Sequence, residues 1–116
     1  MPLYETTFIV RQDTPRSDAN RLAEEFGKII TEAQGKVAKN EYWGLRNLAY
    51  PINKNRKGHY LFLATDAEPA AVKEMERKMR LDESVVRYMT VRVEAFTDTP
   101  GSVFQNASSS YEENAA

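Results

Sequence analysis

Two segments with helical hydrophobic spacing are each enclosed between strand-like segments, and this order restricts the fold more than any other feature of the chain. Apolar residues recur every three or four positions in the helical segments, whereas they alternate with polar residues or run together in the others. The strand-like segments are residues 3–11, 36–52, 59–65 and 85–96, and the helical segments are residues 14–34 and 66–81. The order strand, helix, strand, strand, helix, strand predicts a ferredoxin-like β-α-β-β-α-β sandwich of the α+β class.

In this fold, right-handed crossovers place both helices on one face of a four-stranded antiparallel sheet and leave the opposite face open. Thr14 is expected to cap the first helix, with Pro15 at its first position, and Gly35 is expected to end it. Gly44 interrupts the second strand and predicts a bulge or bend there. Residues 1–96 are predicted to form the folded domain, and the polar, Ser-containing residues 97–116 a flexible tail.

The composition excludes several kinds of site. The 116 residues include no Cys, so disulfides and thiolate metal sites are ruled out, and no His, Asp or Glu residues have the spacing of a metal site. The glycines are scattered and form no phosphate-cradling loop, so we predict no metal and no cofactor. The first residues lack the pattern of a signal peptide, and no apolar run approaches the ~20 residues of a membrane span. We therefore expect a cytoplasmic protein.

A hairpin with a basic tip is the strongest lead to function. An apolar segment ends at Ile52, a turn rich in Lys, Asn, Arg and Gly follows, and an aromatic segment begins at His59. Residues 36–60 contain six basic residues and one acidic residue, Glu41, although the whole chain has a net charge of −1. Because salt screens charges beyond about 8–10 Å, local charge decides phosphate binding. The hairpin is compatible with a polyanionic partner, and equally with a solvated loop.

Catalysis finds little support in the sequence. His59 is the only histidine, and neither a carboxylate nor a nucleophile lies near it along the chain. Arg11 and Arg16 follow the first strand, where acylphosphatase-like chemistry would need an Arg-bearing anion loop, but no glycine-rich turn accompanies them. We therefore predict that the chain is not an enzyme and name no catalytic residue. A His59-dependent ferredoxin-like enzyme stays as an alternative.

The third strand begins with a basic residue and a glycine, Lys57-Gly58, as in RNA-recognition domains that stack bases on aromatic side chains of the sheet. The two stacking positions that follow hold His59 and Leu61, where two aromatic residues are expected. Tyr60 and Phe62 are expected to point to the opposite side, into the core. The pattern disfavours base stacking and leaves binding through phosphates and shape.

The third strand is apolar on both faces, so one set of its side chains must occupy the open face of the sheet. Exposed apolar patches usually mark a protein interface. We assign the protein-partner patch to Ile9, Leu61, Leu63 and Tyr88. Either a partner protein covers this patch, or the chain's own tail or a second copy of the chain does so.

One long segment carries a family resemblance. Residues 43–54 read Trp-Gly-Leu-Arg-Asn-Leu-Ala-Tyr-Pro-Ile-Asn-Lys, and shorter matches are Tyr4-Glu5, His59-Tyr60 and residues 86–92. On these residues the chain resembles the family of the sixth protein of the bacterial small ribosomal subunit. The resemblance covers residues 1 to about 96, and the tail departs from it.

The resemblance implies a structural ribosomal protein with a ferredoxin-like fold. Such a protein binds the central domain of small-subunit ribosomal RNA as a heterodimer with the eighteenth protein of that subunit. Basic residues that match the family pattern are Arg46, Lys54, Arg87 and Arg92, and loop position and charge add Arg56 and Lys57. We expect these six residues to contact RNA by neutralising phosphates. A homo-oligomeric, ligand-binding regulator that uses the open sheet face is a further alternative.

Overall fold

Six elements follow one another in the predicted order in the computed structural model, which describes residues 1–52 and 55–96. They are β1 (Leu3–Arg11), α1 (Arg16–Glu32), β2 (Lys36–Ile52), β3 (Asn55–Asp66), α2 (Pro69–Leu81) and β4 (Val85–Val93). The four strands form one sheet and the two helices pack against it. The predicted ferredoxin-like α+β fold is confirmed.

The sheet has the strand order β2-β3-β1-β4, and every neighbouring pair is antiparallel. The central strand β1 pairs with β3 from Leu3 opposite Asp66 to Arg11 opposite Gly58. On its other side, β1 pairs with β4 from Leu3 opposite Val93 to Val10 opposite Val85, with a shift in the register after Ile9. Residues directly opposite each other in such pairs point to the same face. The register therefore assigns each side chain to the helix face or to the far face.

The ends of several elements differ from the predictions. Strand β3 begins at Asn55 rather than His59, because part of the predicted loop is paired with β2. Helix α1 begins at Arg16, and Pro15 rather than Thr14 is the capping residue. The carbonyl of Pro15 accepts the first helical hydrogen bonds, and no side chain caps this end. At its other terminus α1 ends at Glu32, three residues before Gly35, and β4 ends at Val93 rather than at residue 96.

The main core lies between the helices and one face of the sheet. Alternate residues of β1 and β3 contribute to it, and both helices cover them with residues at helical spacing. The fully buried members with the largest side chains are Phe8, Val10, Ile30, Leu61, Leu63, Met75 and Met79. Phe8 meets Phe26 of α1 edge to face, with ring centroids 5.4 Å apart. Burial of this set is the main stabilising contribution to the fold.

The predicted placement of the partner patch is wrong for three of its four residues. Leu61 and Leu63 belong to the helix-face core and are 0% exposed. Tyr88, opposite Phe8, also packs against that core. Ile9 does lie on the far face, but it is only 1% exposed. Because β3 is apolar on both sides, its sequence did not determine which side faces the helices. In the structure the side with Leu61 and Leu63 faces them, opposite to the prediction.

The aromatic residues of β3 occupy the far face instead. Tyr60 and Phe62 are each 1% exposed, although both described helices, α1 and α2, pack on the opposite face. Trp43 of β2 stacks on Phe62, with ring centroids 4.6 Å apart and an angle of 14° between the rings. The predicted burial of Tyr60 and Phe62 is therefore confirmed, but they lie on the far face rather than on the face that the helices cover. Base stacking stays disfavoured for another reason, because both rings are covered.

Some predictions concern residues that the structure leaves undescribed. Lys54 and the predicted tail of residues 97–116 lie outside the described residues. Within residues 1–52 and 55–96, neither helix has the length and apolar character needed to cross a membrane.

Candidate nucleic-acid interface

The β2–β3 hairpin extends past the end of the central strand. β1 ends at Arg11, opposite Gly58, whereas β2 and β3 continue past this point: Arg46 is opposite Gly58, Asn47 is opposite Lys57 and, after an irregularity in the register, Ile52 is opposite Asn55. We call residues 46–52 and 55–58 the arm. Because β1 has no residue beside most of the arm, this two-stranded ribbon reaches beyond the four-stranded sheet. Arg46, Asn47, Arg56 and Lys57 of the arm are exposed.

The basic side chains of the arm that the structure describes are exposed to solvent. Arg46, Arg56 and Lys57 are all exposed, and the register places Arg46 and Lys57 on neighbouring pairs, opposite Gly58 and Asn47. Residues 46–58 include no acidic residue. Like charges this close concentrate a positive potential, which is the footprint of a phosphate-binding surface.

A hydrogen bond connects the base of the arm to the loop after β1. The backbone N–H of Lys57 donates to Oε1 of Gln12 at 2.9 Å. Gln12 lies 45 residues away along the chain, and no motif marked it in the sequence. This contact holds the arm at its base, so that the exposed cations are carried on a supported ribbon.

Arg87 lies at the same end of the sheet as the arm. It is opposite Ile9, which is in turn opposite Tyr60. Tyr60 is opposite Gly44, two residues before Arg46. Three strand spacings of 4.7–4.9 Å separate β4 from β2, or about 14 Å. The structure therefore brings Arg87 and the arm to one end, and the register places Arg87 and Arg46 on the far face.

Arg92 lies elsewhere. It is opposite Tyr4, near the other end of β1, and side chains in this register point to the helix face. Five residues of strand separate it from Arg87, which is about 17 Å at 3.3–3.4 Å per residue. Five of the six predicted RNA contacts are described by the structure. Four of them lie at the arm end of the sheet and are called the arm-end group, and Arg92 lies apart from them. The arm-end group consists of Arg46, Arg56, Lys57 and Arg87.

His59 is held by hydrogen bonds at both ring nitrogens. Its Nε2 lies 2.7 Å from the carbonyl oxygen of Thr14, and its Nδ1 lies 2.8 Å from the hydroxyl of Tyr42. A carbonyl can only accept, so the Nε2–H of His59 donates to it, and in the tautomer with one ring proton Nδ1 accepts from the Tyr42 hydroxyl. The ring is only 6% exposed. This geometry suits a structural tie between strands and loop rather than a proton shuttle.

Two Arg side chains near the end of β1 form ion pairs. Arg11 donates to both carboxylate oxygens of Asp13 at 3.1 Å, and Arg21 of α1 donates to Asp18 at 2.6 Å. These pairs line a cleft of about 480 Å³ whose other acidic residues include Glu25 and Glu83. An acylphosphatase-like anion loop requires a cationic cleft, and this one carries more acidic than basic side chains.

No metal centre is evident in the part of the chain that the structure describes. There, no three or more His, Asp and Glu side chains are grouped closely enough to hold a metal ion.

Comparison with known proteins gives consistent matches over nearly the whole chain. A family model described as "Ribosomal protein S6" matches residues 3–92. A small ribosomal subunit protein bS6 of Paramagnetospirillum magneticum is 52% identical over 93% of this chain and 75% of its own length. The bS6 protein of Dinoroseobacter shibae is 54% identical over 86% of each chain.

A solved structure agrees with the fold. The crystal structure of 30S ribosomal protein S6 from Thermotoga maritima superposes with a TM-score of 0.74 at 26% identity, covering 94% of this chain and 96% of that one. The family model alone spans far more than half of the sequence. The chain with the basic arm therefore belongs to the ribosomal protein S6 family of the bacterial small ribosomal subunit.

Proposed function

We propose that this chain is a structural constituent of the small ribosomal subunit in the cytoplasm and binds the central domain of small-subunit ribosomal RNA. It performs no chemistry on that RNA. The observation that carries the proposal is the arm, in which Arg46, Arg56 and Lys57 are exposed and no acidic residue accompanies them. The occupied ring nitrogens of His59 support a role without catalysis.

Binding rests on phosphate neutralisation. Each Lys or Arg that meets a phosphate releases condensed counterions, so the affinity falls with salt in proportion to the number of contacts. The arm meets the RNA backbone from one end of the sheet, and Arg87 extends that surface across the far face. Such contacts position a protein on folded RNA by shape and carry no information about the base sequence.

We further propose that binding is shared with the eighteenth protein of the small subunit. The whole chain has a net charge of −1, so a basic partner would strengthen the attraction to RNA. The partner would dock on the far face, where Val91 is 46% exposed and Trp43 and Met89 are half-buried. This replaces Leu61 and Leu63 as partner contacts, because both lie beneath the helices.

A salt titration of Arg46→Gln tests the RNA contact. We expect binding to a central-domain ribosomal RNA fragment, measured with the partner protein present, to weaken for this variant. The slope of log affinity against log salt should fall by about one unit, as expected for one lost phosphate contact. Lys28→Gln is the matched control, since it removes one exposed positive charge from α1 and should leave the slope unchanged.

The same titration separates the elements of the proposal. Tight binding only when both proteins are present supports joint docking, and equal binding by the single chain removes the partner from the mechanism. An unchanged slope for Arg46→Gln takes Arg46 off the RNA surface. Arg92→Gln shows whether the RNA also reaches the other end of β4, because a lowered slope there requires a second contact region.

A further inference from the structure

The strand that carries Arg46 contains a β-bulge just before it. Tyr42 lies opposite Leu61, and the next pair is Gly44 opposite Tyr60, so Trp43 is the extra residue of β2. Gly44 has a φ of +106°, in a region that residues with a side chain rarely adopt. The predicted bulge at Gly44 is confirmed, and its conformation requires glycine.

The extra residue is fixed on the far face. Its indole ring stacks on Phe62 with ring centroids 4.6 Å apart, and its Nε1–H donates to Oε1 of Glu41 at 3.2 Å. A stacked and hydrogen-bonded indole leaves the backbone of Trp43 little freedom. The position of its carbonyl oxygen is therefore well determined.

That carbonyl holds Arg46. The Nε–H of Arg46 donates to the carbonyl oxygen of Trp43 at 3.3 Å, and the Arg46 side chain is exposed. An Arg has five N–H donors in one rigid plane, so a bond at Nε sets the direction of the whole guanidinium group. In a regular strand, without the bulge, the carbonyl of Trp43 would not turn toward the side chain three residues later.

We propose that Trp43 and Gly44 are positioning residues for anion recognition by Arg46. The bulge orders the guanidinium before the phosphate arrives, so less side-chain freedom is lost on binding. The inference rests on the proposed RNA-binding function and adds a specific claim to it. At this position the orientation of an Arg, and not only a positive charge, determines affinity.

A double-mutant cycle on binding to the central-domain RNA fragment, with the partner protein present, tests this coupling. Gly44→Ala forces a side chain into the positive-φ conformation, while the added Cβ has room, since its nearest atom is the Arg46 Nε at 3.9 Å. We expect Gly44→Ala to weaken binding about two- to tenfold, the cost of ordering one long side chain. In an Arg46→Ala background it should have almost no effect.

An equal loss in both backgrounds would overturn the positioning role, because the bulge would then act on the fold or on another contact. Wild-type affinity of Arg46→Ala alone would overturn the RNA contact itself. Trp43 is the single tryptophan, so its fluorescence reports whether the bulge has changed in each variant.

Arg46→Lys provides a second test that leaves the bulge residues intact. It keeps the charge but replaces the guanidinium plane by an ammonium group without a fixed direction. We expect the salt slope to be kept and the affinity to fall about as far as for Gly44→Ala. Arg77→Lys, at an exposed site on α2 away from the arm, is the matched control and should bind within about twofold of wild type. Equal affinity of Arg46→Lys and the wild type would contradict the proposal.

Discussion

The two faces of the sheet are buried in different ways. On the helix face, Leu61 and Leu63 lie under two helices and reach 0% exposure through a second layer of secondary structure. On the far face, Tyr60 and Phe62 are each 1% exposed; the Trp43 ring stacks on Phe62, and Trp43, Leu48, Val86 and Met89 pack against the pair Ile9 and Tyr60. Among residues 1–52 and 55–96, neither helix packs on this face, and side chains of the strands themselves contact its buried aromatic rings. The strand that carries Trp43 also forms part of the basic arm.

The difference predicts that the helix face contributes most to stability. Leu63→Ala should lower the free energy of unfolding by about 2–5 kcal/mol, because it removes a fully buried side chain and leaves a cavity that two helices and a sheet cannot easily collapse. Urea denaturation followed by circular dichroism measures this loss. Leu81→Ala, at a site 65% exposed on α2, should change stability by less than about 0.5 kcal/mol. A loss as small as this for Leu63→Ala would mean that the helix layer is loosely packed.

On the far face, close packing between β1 and β3 is tested at Gly58. A Cβ added at this position would overlap Cγ2 of Ile9, a side chain that is itself only 1% exposed. We expect Gly58→Ala to lower the free energy of unfolding by about 1–3 kcal/mol through overpacking.

Gly27→Ala in α1 is the matched control for this substitution. Its Cβ would lie 3.3 Å from Cγ2 of the half-buried Val37, while helix propensity gains about 1 kcal/mol. The two effects should nearly cancel. If Gly58→Ala were as well tolerated as Gly27→Ala, the far face would be open enough to move Ile9, and its description as closely packed would fail.

The same comparison shows where sequence reasoning succeeded. The order of elements and the full extents of β1 and β2 follow from hydrophobic spacing and from the turn residues that separate the segments. The bulge at Gly44 follows from a glycine within a strand pattern. These are local signals, and each is read within a few residues of the feature that it predicts.

The orientation of β3 could not be read in this way. Alternation separates Tyr60 and Phe62 from Leu61 and Leu63, but both sets are apolar, and a strand pattern does not say which set faces the helices. The partners of His59 lie 17 and 45 residues away, and Gln12 meets Lys57 from a similar distance. Tertiary packing determines these contacts, and neither the composition nor the spacing of apolar residues predicts it.

The smallest expected effect concerns the hydrogen bond between the Tyr42 hydroxyl and the His59 ring, at the edge of the helix face. Tyr42→Phe removes the hydroxyl and keeps the aromatic ring, over which the Arg16 guanidinium carbon lies 4.4 Å from the centroid. Only the 2.8 Å hydrogen bond is lost, so the free energy of unfolding should fall by about 0.5–1.5 kcal/mol. In a His59→Ala background the same change should cost nearly nothing, because the acceptor is already gone. Urea midpoints of the four variants of this cycle measure the coupling. Equal losses with and without the His59 ring would show that the hydroxyl acts through another contact. His59 would then be held mainly by its hydrogen bond to the Thr14 carbonyl.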